Sequence, residues 1–266
     1  MPSADTDTFS TEITEASVYA AIADVLDPEL DESLVRLGFI DSVQVDGRDV
    51  TVTFKLPTYW CSPNFAYLMA SDLRDRVQAI AGVRSVRIFL LDHCTEDEVS
   101  NGVNTGKTFK EVFPEETEDN LEELRLIFLR KGFLMRQDML LRALQKAGLD
   151  EATLLSLRMA DVTVDEVTQR IFITTPRRVV QIERQAHTMQ SYLRRATLLG
   201  LPHGPQGLLF MDEQGQAIPA GGLQDYLRRS RAVRMNIMFN TVFCTDMFQT
   251  RYGSGAGRTL PEGERA

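Results

Sequence analysis

Three groups of residues in this chain have the right types to do chemistry. Cys61 lies in the run Leu56-Pro57-Thr58-Tyr59-Trp60-Cys61-Ser62-Pro63-Asn64, between a predicted strand and a predicted helix. Asp27-Pro28-Glu29 stands upstream of it and Asp92-His93-Cys94 downstream. A helix start is electropositive, so a sulfur held there is expected to favour thiolate, the form that binds metal or attacks sulfur. Thiolate and imidazole suit iron and other transition metals. Cys61, His93 and Cys94 are therefore the candidate metal ligands, and iron or a transient iron–sulfur cluster is the candidate cofactor. Three protein ligands leave an open coordination position. A complete cluster usually takes four cysteines, so one bound here is expected to be transient, shared between chains, or completed by another molecule. The plainer alternatives stay open. A free cysteine is often a small buried hydrophobe, and Asp27-Pro28-Glu29 also reads as a helix stop followed by solvated acids.

The elements that must position these residues follow from periodicity. Val18, Ile22, Val25 and Leu26 fall on one face of a helix over 15–26. Asp27-Pro28 ends it, because the residue before proline avoids helical geometry. Residues 43–45 and 50–54 alternate β-branched side chains around Asp46-Gly47, which predicts a hairpin. Ser62 and Pro63 suit the N-cap and first position of a helix that runs to about residue 80. Residues 83–91 then form a strand. The strand–helix–strand crossover makes the two strands parallel, so Cys61 and Asp92-His93-Cys94 both follow carboxyl ends on one sheet edge, where ligands of open α/β sheets gather.

The 266-residue chain carries 43% hydrophobic and 25% charged residues, enough for one large or two ordinary domains. It has no apolar run near the roughly 18 residues of a membrane span. An acidic start without a basic n-region argues against a secretory signal. Three cysteines do not make a disulfide framework, so a cytoplasmic protein with reduced thiols and no membrane partner is expected. No Glu-x-x-His helix motif occurs, so a di-iron bundle is not expected, and no phosphate loop, nucleophile-elbow serine or Cys-x-x-Cys pair is found.

The expected fold class is α/β: a small N-terminal α-β-β-α-β domain followed by a mainly helical α+β C-terminal domain. The expected boundaries are a disordered tail over 1–14, the first domain over 15–94, a connector over 95–116, the second domain over 117–252 and a disordered tail over 253–266. The connector reads as a linker or as an ordered wrap over the first domain. Within the second domain, a helix is expected to break near Gly132, a short strand to cover 207–211, a helix to cover 223–231, and 234–248 to form an apolar finish containing Cys244.

The formal net charge of −9 is uneven. Residues 170–234 hold ten arginines, no lysine and four acids, a balance of +6. Arginine without lysine favours bidentate pairing with carboxylate or phosphate. Arg177, Arg178, Arg194 and Arg195 are the candidate binding residues of that face. A solvated, salt-bridged surface is the plain reading; the sharper readings are a docking face for an acidic partner or, less expected, a nucleic-acid surface.

Residues 16–93 resemble the SufT/PaaD-like family of metal–sulfur (iron–sulfur) cluster assembly proteins. The carriers are Val25-Leu26-Asp27-Pro28-Glu29-Leu30, Leu34-Val35-x-Leu37-Gly38-Phe39-Ile40, the hairpin, Thr58 and Cys61, and Gly82-Val83-x-x-Val86. The family has threonine and then Cys-Pro, whereas here Thr58 is nearer the cysteine and Ser62 separates Cys61 from Pro63. The resemblance implies an accessory maturation factor for iron–sulfur or iron centres rather than an enzyme. Its client would be a metalloprotein, such as a subunit of a bacterial multicomponent (diiron) monooxygenase. Cys61 would be the functional thiol, with Asp27, Glu29 and Thr58 around it; His93 and Cys94 lie outside the pattern. A metal-free chaperone binding an apo-oxygenase subunit is the alternative, and a homo-oligomer is compatible with either. The C-terminal half is similar to the catalytic domain of tyrosine recombinases, through 147–162, a hairpin, Arg177-Arg178-Val179-Val180 and Leu208-Leu209-Phe210. Asp150 stands where that family needs its first catalytic arginine, so the resemblance implies a scaffold without DNA cleavage.

Overall fold

The hairpin that leads into the Cys61 turn forms as its alternation predicts. β3 (Ile40–Asp46) and β4 (Asp49–Lys55) pair antiparallel, with Val43 opposite Val52 and Val45 opposite Val50. Gly47 takes φ +60° at the first position of the two-residue turn, which fits a II′ hairpin. Ahead of the hairpin come α1 (Glu15–Ile22), the two-residue strands β1 (Leu26–Asp27) and β2 (Glu32–Ser33), and α2 (Leu34–Leu37). After it come α3 (Pro63–Gln78) and β5 (Ser85–Leu91). β5 pairs parallel with β4, Val52 opposite Ile88. The strand–helix–strand crossover therefore places both strand ends on one edge, as the topology argument required. The structure is a computed structural model and describes residues 12–116 and 121–253. Most of both predicted tails lies outside the described residues.

The chain divides into two compact units, and the boundaries differ from the compositional ones. The first contains residues up to Leu121 together with those from Thr241 onward; the second spans Glu122–Asn240. In the first unit, the connector is ordered: α4 (Glu96–Asn104) packs on β5, and α5 (Phe109–Val112) packs on α4 and on Tyr67 of α3, burying Val99, Val103 and Phe109. Asn104 and Ser100 hydrogen-bond the β5 backbone at Ile88 and Leu90. These apolar and polar anchors make 95–116 a wrap rather than a linker. Ile13, placed in the tail by composition, is buried in the same core, and Thr14 caps α1.

The second unit takes most of α6 (Leu121–Lys146), then α7 (Glu151–Ser156), a 3-10 turn, and the antiparallel sheet β6 (Val162–Asp165), β7 (Arg170–Thr174) and β8 (Val179–Ile182). α8 (Ala186–Leu198) follows, and then the first part of α9 (Leu223–Tyr252). Gly132 does not break α6. It is buried inside the helix, where close packing outweighs the roughly 1 kcal/mol penalty of a helical glycine. Residues 207–211 contribute only an isolated bridge from Leu208 to Arg158. Residues 223–252 form one helix in place of a helix and a separate apolar finish. Buried Asp138 anchors this unit by accepting from Arg142, Ser230 and Arg234. Among the described residues no helix is long and apolar enough to cross a membrane. The chain is an α/β protein with an N-terminal small sheet and a helical C-terminal part.

Candidate functional site

Cys61 sits in the turn between β4 and α3, with Ser62 at the N-cap and Pro63 at the first helical position. The Ser62 side chain makes no capping bond. The thiol is half-buried and packs against the first unit's core. The structure reverses the expected protonation. Burial, then the charges of Asp27, Glu29 and Cys244, push the Cys61 thiol well above its ordinary range, and the Ser62 amide opposes this only in part. The resting group is a neutral thiol, because desolvation and two nearby carboxylates outweigh one helix terminus.

The downstream segment does reach Cys61, but through backbone. His93 is 2% exposed. Its Nδ1 accepts from the Thr95 amide at 3.2 Å, so Nε2 carries the proton and donates to the Cys61 carbonyl at 2.9 Å. Burial holds the imidazole below its usual pKa. With both ring nitrogens engaged, His93 is a tie for the turn and not, in this geometry, a metal ligand. The Cys94 amide donates to the Tyr59 carbonyl at 2.8 Å while its thiol is exposed. Cys61, His93 and Cys94 therefore share one edge without presenting three ligands to one point. Among the described residues no three His, Cys, Asp or Glu side chains are placed to hold a metal ion.

Upstream, Asp27 is 6% exposed and its Oδ1 accepts from the Glu29 and Leu30 amides at 2.9 and 3.1 Å. Burial raises its pKa from 3.8 to about 7, with the Glu29 charge adding to the rise and the two amides lowering it. The carboxyl is thus held near half-ionisation at neutral pH. Thr58 is half-buried on the Cys61 turn. Tyr59 and Trp60 stand out from the same turn, Trp60 at 74% exposure.

Sequence reasoning missed the contribution of α9. Arg251 donates to the Leu56 carbonyl at 3.2 Å and to the Asp92 carbonyl at 2.7 Å, strapping together the residues that follow β4 and β5. Phe248 is buried with its ring 4.7 Å from that of Phe39. Lys55 Nζ lies 5.1 Å from the centre of the Tyr252 ring. Cys244, half-buried, is pushed up to about 11 by burial and then by Asp27 and Glu29. The signal was present as Cys244, Phe248 and Tyr252 at four-residue spacing, one helical face.

In the second unit, Arg177 and Arg178 are exposed, and Arg178 also donates to the Ala147 carbonyl at 3.0 Å. Arg194 is half-exposed. Arg195 is 2% exposed and bonds the Ser191 carbonyl within its own helix. It belongs to the interior, so the expected docking face loses that residue.

Comparison with known proteins bears on the first unit alone. Residues 15–88 match the family model described as iron-sulfur cluster assembly protein. The matched span carries Asp27, Glu29, Thr58 and Cys61, and stops before His93, Cys94 and all of α9. No curated protein and no solved structure matches the chain.

Proposed function

We propose that the protein is an accessory factor that takes up iron or an iron–sulfur fragment as cargo at Cys61 and passes it to a client metalloprotein. The observation that carries this reading is the family match over 15–88, which coincides with the Asp27–Glu29–Cys61 cluster. A neutral thiol beside two carboxylates suits transient loading. A cation is attracted by the acids and displaces the thiol proton, and acid favours release. Among the described residues the side chains do not complete a cluster site, and in this reading the remaining ligands come from sulfide, a second chain or the client. A SufT/PaaD-like role with an iron-dependent, multicomponent oxygenase as client fits this reading. The exposed Arg177 and Arg178 are proposed as contacts for an acidic client surface.

Anaerobic incubation with ferrous iron and sulfide, followed by metal analysis of wild type and Cys61→Ala, tests the proposal. Iron and sulfide retained by wild type and lost in the variant support it; equal content in both refutes it. A metal-free chaperone is the second reading, favoured by Tyr59 and Trp60 exposed beside the thiol. Equal metal content would leave that reading standing.

A further inference from the structure

We propose that the outward face of α9 is the contact between two copies of this chain, which pair antiparallel about a two-fold axis at Thr241. The inference goes beyond the cargo reading and does not depend on it.

α9 is one helix from Leu223 to Tyr252, and one of its faces is buried. Tyr226 and Leu227 enter one core and Phe248 the other. The outward face carries Met235, Phe239, Phe243 and Met247 at four-residue spacing, with Met238 and Val242 in a second row beside them. All six are between 36% and 69% exposed. At ~150–250 Å² for a large side chain, they present on the order of 600 Å² of apolar surface, the upper end of what a monomer leaves open. A standard interface takes about 800 Å² from each partner, so one such stripe supplies most of it.

The occupant follows from the order of the stripe. Met-Phe-Phe-Met at this spacing reads the same in both directions, centred on Thr241. A two-fold contact places residue i against j and j against i. An antiparallel copy therefore sets Phe239 against Phe243, Met235 against Met247, and exposed Asn236 against exposed Asp246. A client would give no reason for this symmetry. Rows spaced by four residues are the ridges whose mutual packing gives crossings of about −50°, and the groove between the two rows admits the partner's ridge. Methionine at both ends lets that packing adjust. The row continues to Arg231 and Arg251, and the crossing splays these like charges at the rim. Arg251 lies ten residues beyond the axis, so at 1.5 Å per residue the two straps stand about 30 Å apart along the pair. Each copy thus keeps its own Cys61 edge.

Sedimentation equilibrium of the full-length protein from ~1 to ~100 µM, a range open to interfaces of this size, tests the pairing. Wild type is expected at twice the 30.0 kDa of one chain. Phe239→Glu and Phe243→Lys change exposed positions, and circular dichroism confirms their folding. Each should weaken the dimer at least about tenfold, as loss of a central aromatic contact does. Mixing the two variants should restore dimers. The introduced carboxylate and ammonium then face each other across one contact, while the other contact keeps both phenylalanines. A wild type that stays at 30.0 kDa throughout, single variants that associate like wild type, or a mixture that stays monomeric overturns the proposal. A monomer whose stripe binds anionic phospholipid vesicles, with binding lost in Phe239→Glu, would assign the face to a membrane surface instead. Iron and sulfide loading reports on the cargo reading alone, since Phe239 lies outside the Cys61 turn, so either reading can fail without the other.

Discussion

Asp27→Asn isolates the buried carboxyl beside the thiols. In the folded protein Asp27 titrates near 7, against 3.8 for an ordinary aspartate. The folded state therefore holds a proton that the unfolded chain has already lost between pH 4 and 7. The sign follows: this group contributes stability at low pH and loses it as pH rises to about 7, at about 1.4 kcal/mol per pH unit. Over the whole interval the loss is about 4 kcal/mol. Asparagine cannot ionise, yet its carbonyl can still accept from the Glu29 and Leu30 amides that Asp27 Oδ1 serves. The stability advantage of the variant should thus grow by about 2–3 kcal/mol between pH 5 and pH 8 and flatten above. Urea denaturation of both proteins across pH 4–9, read by circular dichroism, measures it. Parallel stability curves would refute the reasoning, because they would place the Asp27 titration at its ordinary value in the folded state.

Arg251→Ala removes both bonds of the strap and should lower the stability of the first unit by about 1–2 kcal/mol. Hydrogen exchange should quicken at the ends of β4 and β5 rather than at their centres, and unchanged exchange there would count against the strap. Alkylation of the three thiols should run Cys94 first, Cys244 second and Cys61 last, since thiolate fraction and access set the rate. Time-resolved iodoacetamide labelling at pH 8 with peptide mass analysis reads the order. Early labelling of Cys61 would restore the thiolate expected from its helix terminus.

The first sheet was legible because its signals are local. Alternation in β3 and β4, Gly47 in the turn, and Ser62-Pro63 at the helix start each act within a few residues, and the parallel pairing of β5 follows from chain topology. The shared edge of Cys61 and His93-Cys94 was legible for the same reason. Its chemistry was not, because protonation depends on burial and on Asp27 and Glu29, which reach Cys61 only through the tertiary fold. Gly132 suggested a break because propensity alone cannot register close packing. The wrap over 95–116 was hidden by polar residues such as Asn104 and Ser100, whose side chains serve the β5 backbone. The role of Arg251 was missed because its partners, the residues following β4 and β5, lie 195 and 159 positions away in sequence.

That last separation has a temporal consequence. The second unit is inserted between the two segments of the first, so Cys61 leaves a ribosome 183 residues before Cys244. At ~5–20 residues per second, synthesis leaves the turn without its helical cover for roughly 10 to 40 s. Closure of this edge is thereby coupled to synthesis of the whole inserted unit.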